Sequence, residues 1–313
     1  MHAITQHTFG GPEVLELTDV DPPEPLPSEV LVRVHAAAVN PVDAMVRSGA
    51  FPLLGKPPFL LGWDISGVVE EVVPGVTRFQ VGDEVYGMPF FPRAGNAYAE
   101  YVAVPSRQLA RKPAALDHAH AAALPLAGLT AWQSIVDTAQ VRAGQRVLIH
   151  AGGGGVGHLA VQIAKARGAH VIATASAAKH DFVRGLGADE VIDYRTTDFT
   201  DVVTDADVVL DTVGGDYGPR SLRALRPGGL LVTVVDRADT ALQQAATEAG
   251  RRFAGVTVEP DHTGLQEIAK LVDTGQLRPY VSDALPLADA AKAHQLIESG
   301  RAQGKIVLTL GPN

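Results

Sequence analysis

The chain contains no cysteine, which excludes disulfides and every zinc site built on thiolates. It also lacks a basic block. Lys+Arg number 26 against 35 Asp+Glu, a formal net charge of −9, so neither nucleic acid nor an anionic membrane surface is expected as a partner. No apolar run approaches the length of a bilayer span. The opening MHAITQHTFG has neither the basic nor the apolar segment of a signal peptide, and a soluble cytoplasmic protein is expected. The strings H-E-x-x-H and G-x-S-x-G are missing as well, which removes the usual support for hydrolase chemistry. Of the eleven histidines, His118 and His120 are two apart, and on a helix they point in different directions.

What is present divides into two grammars. Fifteen of the 21 prolines fall in residues 1–125. In that part Val30, Val32 and Val34 alternate with Leu31, Arg33 and His35, Ile65–Val73 is β-branched, and Tyr98–Val104 is a further strand candidate. Pro, Gly and Asp clusters such as Pro22–Pro27 and Gly82–Asp83 punctuate these runs. From about Pro125 strands alternate with helix-length segments: Val191–Tyr194, Val208–Thr212, Leu230–Val235 and Phe253–Val258. This alternation predicts a doubly wound parallel sheet. Helices at Leu265–Leu271 and Ala288–Ser299 then lead to a last strand, Lys305–Leu310. At 313 residues the chain is long enough for two domains. They are expected as residues 1–124 with 259–313, β-rich and irregular, and residues 125–258.

The second part starts from Arg146–Ser176, RVLIHAGGGGVGHLAVQIAKARGAHVIATAS. Val147–Ile149 suits a strand buried on both faces. Leu159, Ile163 and Ala166 recur at helical spacing until Gly168, and Val171–Ala173 starts the next strand. Between them Gly152, Gly154 and Gly157 stand in G-x-G-x-x-G order, with Gly153, Gly155 and Val156 filling the turn. Glycines there let the backbone approach a pyrophosphate, and the following helix presents its N-terminal N–H groups to the anion. A dinucleotide site is expected. Glycines serving only to pack a tight turn are the bland alternative.

The order of these pieces resembles the medium-chain dehydrogenase/reductase superfamily along nearly the whole chain. Asn40-Pro41-Val42-Asp43 is similar to its NPxD segment, and Gly62–Val69 to its G-x-D-x-x-G-x-V strand. Gly82–Val85, Leu124–Thr130, Asp211–Gly215, Arg226–Gly229 and Gly304–Leu308 complete the set. The branch it most resembles is the zinc-free quinone oxidoreductase group. The resemblance implies a GroES-like barrel domain plus a Rossmann domain, hydride chemistry with NADPH, and a homodimer joined through the edge strand matched by Phe253–Val258. It also brings Val213 and Gly214 to the cofactor. Where zinc dehydrogenases of the superfamily carry Cys, His with Glu, and Cys around the catalytic metal, this chain has Asn40, Trp63 with Asp64, and Leu126. One carboxylate beside a Trp and a Leu is not a tetrahedral zinc site, so no metal is expected.

Without a Lewis acid, a hydrogen-bond donor must polarise the acceptor's oxygen. The candidates are Asn40 and Thr130, which the resemblance places near the nicotinamide. Asn40 can equally be a turn residue before Pro41, and Thr130 a helix hydroxyl bonded to its own backbone. Asp43 reads best as a helix N-terminal carboxylate. Phe51, Trp63 and Phe90 are candidates for an apolar substrate slot, or plain packing. Cofactor choice rests on Thr174–Lys179, TASAAK, which lacks the acid that an NAD enzyme puts at the end of its second strand. Ser176, Lys179 and, by the resemblance, Tyr194 suit a 2′-phosphate, hence NADPH. Against this, Ser176 is a natural N-cap and Lys179 could be a solvated surface lysine. The expected function is zinc-independent hydride transfer from NADPH to a quinone or an α,β-unsaturated carbonyl. The alternatives are a catalytically silent NADPH-binding or sensing protein on the same fold and a methyltransferase, against which the missing acid also speaks.

Overall fold

The computed structural model describes residues 1–311, and its contacts divide the chain into two compact units. The first is Met1–Leu129 with Glu259–Asp273 and everything from Pro279 on; the second is Thr130–Val258 with Thr274–Arg278. The division falls inside the helix Pro125–Trp132. Thr274–Arg278 joins the second unit because the Gln162 amide brackets Arg278, accepting from its N–H at 2.8 Å and donating to its carbonyl at 3.0 Å. Among the described residues no helix is long and apolar enough to cross a membrane.

In the first unit the long strand Glu29–Val39 is central. It pairs antiparallel with Asp64–Val72 along one side, and with Tyr101–Pro105 and then Lys305–Thr309 along the other. Its alternation puts Val30, Val32 and Val34 into the core. Glu84–Gly87, Leu109–Arg111 and Val281–Pro286 extend the sheet to seven strands, and a three-stranded sheet is built on His2–Gln6. The predicted strand Tyr98–Val104 starts later, at Tyr101. Tyr98 instead bonds sideways, its N–H to Leu61 and its carbonyl to Ile4, and so belongs with the neighbouring sheet.

The second unit is a six-stranded parallel sheet. Across it run Glu190–Asp193, His170–Ala175, Arg146–Ile149, Ala206–Asp211, Leu225–Thr233 and Arg252–Gly255. That is the order 3-2-1-4-5-6 of a doubly wound dinucleotide fold. Ile172, Leu148, Val209 and Leu231, one from each of four adjacent strands, share a buried cluster with Phe199 and Leu222. The edge strand is shorter than the expected Phe253–Val258. Its partner's last paired residue is Thr233, opposite Gly255, so the ladder stops there. Val256 and Val258 are buried without belonging to a strand, which is why their pattern reads as one.

Candidate functional site

In the second unit the chain leaves Ile149 through a turn and enters the helix Gly157–Ala166. Two of the turn's glycines leave no room for a side chain. A Cβ on Gly157 would lie 2.1 Å from the Ala151 carbonyl oxygen, and one on Gly152 would lie 2.8 Å from the Ala173 methyl. Ala151 itself adopts a left-handed φ of 51°, a conformation that the tightness of the turn imposes. Thr174 sits beneath rather than beside this surface. Its hydroxyl accepts the Ala151 N–H at 3.2 Å and lies 3.2 Å from Nδ1 of the fully buried His150. His150 was not singled out by its sequence pattern. Its Nε2 meets the Ser221 hydroxyl at 3.0 Å, and burial pushes its pKa down to about 3, which keeps it a neutral bracket under the turn.

The residues expected to read a 2′-phosphate lie just past the second strand. Ser176 precedes the short 3-10 turn Ala177–Lys179, and its hydroxyl makes no cap bond. The stem of Lys179 lies along the glycine turn, its Cδ 2.9 Å from where a Gly153 Cβ would be. Partial burial lowers the Lys179 pKa, a cost that an anion beside the ammonium would offset. Tyr194 is exposed, with the Arg195 guanidinium 5.7 Å from its ring centre. Val213 is exposed too. The Val213 and Gly214 N–H groups both donate to Asp211 Oδ1, at 2.9 and 3.0 Å, and Gly214 takes a φ of 80°.

The first unit gathers a buried polar cluster at the end of its central strand. Ala38 pairs with Asp64 and Val39 with Ile306, so Asn40, Asp64 and Lys305 meet at one end of three adjacent strands. All three are at most 2% exposed. Asn40 Nδ2 donates to Asp64 Oδ2 at 2.8 Å, and Lys305 Nζ donates to Asn40 Oδ1 and to the Val39 carbonyl. Asp64 Oδ1 accepts the Leu126 N–H at 2.6 Å, and Nζ stands 3.5 Å from Oδ2. Burial raises the Asp64 pKa, and the Lys305 charge and the Asn40 bond oppose that rise.

Asn40 also begins the helix Pro41–Ser48, where Asp43 accepts the Asn40 N–H at 2.7 Å. This is the helix-terminal carboxylate expected of Asp43. Its full burial raises its pKa to about 7 against that bond. Thr130 is buried in the helix Pro125–Trp132. The aromatic candidates have different surroundings. Trp63 is fully enclosed, packed edge-on against Phe91, with its indole N–H donating to the Arg93 carbonyl at 2.6 Å. Phe90 lines a cavity of about 360 Å³ with Leu60 and Tyr101. Phe51 is half-buried, its N–H bonded to the Met45 carbonyl.

A β-sheet unit with a buried polar cluster and a doubly wound unit with a glycine turn define a two-domain dehydrogenase-type chain. Comparison with known proteins gives the family. Residues 26–114 match the alcohol dehydrogenase GroES-like domain and residues 186–308 a domain described as zinc-binding dehydrogenase. The chain is 37% identical to the chloroplastic NADPH-dependent alkenal/one oxidoreductase of Arabidopsis thaliana, over 98% of this chain and 79% of that one. The quinone oxidoreductase from Coxiella burnetii superposes with a TM-score of 0.94 at 40% identity, covering 99% of each chain. The Escherichia coli quinone oxidoreductase complexed with NADPH gives 0.91 at 30% identity, covering 99% of this chain and 100% of that one. The chain belongs to the medium-chain dehydrogenase/reductase superfamily of oxidoreductases, in its quinone oxidoreductase-like branch.

Proposed function

We propose that this chain is a zinc-independent, NADPH-dependent reductase of quinones or α,β-unsaturated carbonyls. The observation that carries the cofactor is the glycine turn with the Lys179 stem laid on Gly153, followed by a second strand with no acid at its end. Gly152–Gly157 would hold the pyrophosphate. Ser176, Lys179 and Tyr194 would receive the 2′-phosphate, and Val213 and Gly214 would border the bound molecule. When bound, NADPH supplies a hydride. Asn40 or Thr130 donates a hydrogen bond to the acceptor's oxygen as negative charge develops there, and the completing proton comes from solvent.

Zinc does not fit the residues present. The chain has no thiolate, both Asp64 oxygens are already hydrogen-bonded, and the Lys305 ammonium stands 3.5 Å from one of them. A divalent ion there would face a fixed positive charge and a single carboxylate. Conjugated acceptors need less polarisation than saturated ketones, which favours quinones and enones. The testing experiment is steady-state NADPH oxidation against quinones, enones, saturated aldehydes and simple alcohols, before and after exhaustive dialysis against a strong chelator. Conjugated acceptors are expected to turn over and dialysis to change nothing. Efficient alcohol oxidation, or activity lost with stoichiometric zinc, overturns the reading; cofactor binding without turnover of any acceptor favours a sensing role.

The reading includes a cytoplasmic homodimer. The strand Arg252–Gly255 ends its sheet, and an apolar edge free of internal Pro or Lys suits pairing with a second copy. Sedimentation at micromolar concentration should give twice the 32.8 kDa of one chain, and cell fractionation checks the location.

A further inference from the structure

The Asn40 amide lies between one group that can only donate and one that can only accept. An ammonium has no acceptor and an ionised carboxylate has no donor. Lys305 therefore fixes which end of the amide is Oδ1, and Asp64 fixes which end is Nδ2. A flipped amide would set its NH2 against the ammonium and its oxygen against the carboxylate, so both neighbours enforce one orientation. The register supplies the rigidity, because the three residues start or follow strands that are hydrogen-bonded side by side. Lys305 is further tied to the Val39 carbonyl at 3.1 Å, and Asp64 to the Leu126 N–H. Among the described residues, only one of the two Nδ2 hydrogens is used.

We infer that Lys305 and Asp64 are positioning residues that lock the Asn40 amide in one orientation, so that its second Nδ2 hydrogen is the one offered to the acceptor's oxygen. The inference rests on the proposed donor role of Asn40.

The chain has three asparagines, Asn40, Asn96 and Asn313, which makes a direct reading practicable. Protein labelled with 15N-asparagine shows at most three side-chain amide pairs, and Asn40→Ala identifies the one from Asn40. In the cofactor-free wild type that pair should be single, well split and slow to exchange with water. The informative variant is the double change Lys305→Met with Asp64→Thr, which removes both charges together, leaves no uncompensated ion, adds no fourth asparagine and puts beside Asn40 a hydroxyl that can donate or accept. It should melt close to the wild type and bind NADPH as tightly. The Asn40 amide should double or broaden, and kcat for a small enone should fall at least tenfold while KM changes little.

A double variant with a single unchanged Asn40 pair and near-wild-type kcat overturns the inference. So does an averaged, fast-exchanging Asn40 amide in the wild type, a test that stands even if the double variant fails to fold. A fall in kcat matched by a fall in thermal stability of the double variant would mark the pair as merely structural and equally overturn it. Full activity in Asn40→Ala would remove the donor role itself, a separate outcome from the amide spectrum.

Discussion

Gly153 and Lys179 are in close contact: a Cβ at 153 would lie 2.9 Å from Lys179 Cδ, so a side chain there would have to push the lysine stem aside. Only NADPH has a 2′-phosphate, so Lys179→Ala should weaken NADPH and barely change NADH. One lost charge-assisted contact is worth about 1.5–3 kcal/mol, or roughly ten- to a hundredfold in affinity. Fluorescence titration with both cofactors checks this, and equal losses for the two would remove Lys179 from the phosphate. Its candidacy was legible because it rested on local sequence, an acid missing where one is usual. Lys305 was not legible in the same way. It lies 265 positions from Asn40, and only the pairing of Val39 with Ile306 makes them neighbours. His150 escaped for another reason: a buried histidine at a strand end has no pattern distinguishing it from an exposed one.

Elements were legible where period and neighbours agreed. The strands of the parallel sheet are apolar runs bounded by turns, and the structure forms each of them, the largest shift being Leu230–Val235, which is found as Leu225–Thr233. Misplaced ends have a tertiary cause, as with the edge strand that stops where its partner's last pair lies. The C-terminal return is anchored by a contact that no local pattern reveals. The Tyr86 hydroxyl, on the strand Glu84–Gly87, donates to the Leu265 carbonyl in the helix His262–Asp273 at 2.6 Å, within the core. Tyr86→Phe keeps the ring and removes only that donor. The Leu265 carbonyl lies inside a helix and keeps its own helical partner, so it is not left orphaned. The expected loss is therefore about 0.5–1.5 kcal/mol, read as a lower urea midpoint at unchanged slope. No loss would mean that water replaces the hydroxyl at that carbonyl.

Across the whole molecule, buried titratable groups set opposing pH dependences. His294 is bracketed by Arg47 at Nδ1, 3.2 Å away, and by the Tyr98 hydroxyl at Nε2, 3.3 Å away. Arg47 can only donate, so Nδ1 accepts and the ring is neutral with its proton on Nε2. Burial first, and the Arg47 charge second, push its pKa from 6.5 down to about 3. His150 is lowered to about 3 and His118 to about 4, mainly by burial. Between those values and 6.5 the unfolded chain binds more protons than the folded one. The stability contributed by the neutral rings is thus full above 6.5 and drains away as pH falls. Asp43 works the other way. Raised to about 7 by burial, it stabilises in acid and loses that contribution as pH rises through about 7; Asp64 and Asp211, also raised, share its sign. Because the two sets oppose each other, the wild-type curve alone does not isolate either, but a difference between variants does. His294→Gln keeps a donor and an acceptor and abolishes the titration. The stability difference between wild type and variant should be flat above about pH 7 and fall by about 1.4 kcal/mol per pH unit between roughly pH 6 and 4, the slope of one proton. Urea unfolding at several pH values gives that difference directly. A difference that stays flat down to about pH 4 would mean that His294 binds a proton as readily in the folded chain as in the unfolded one.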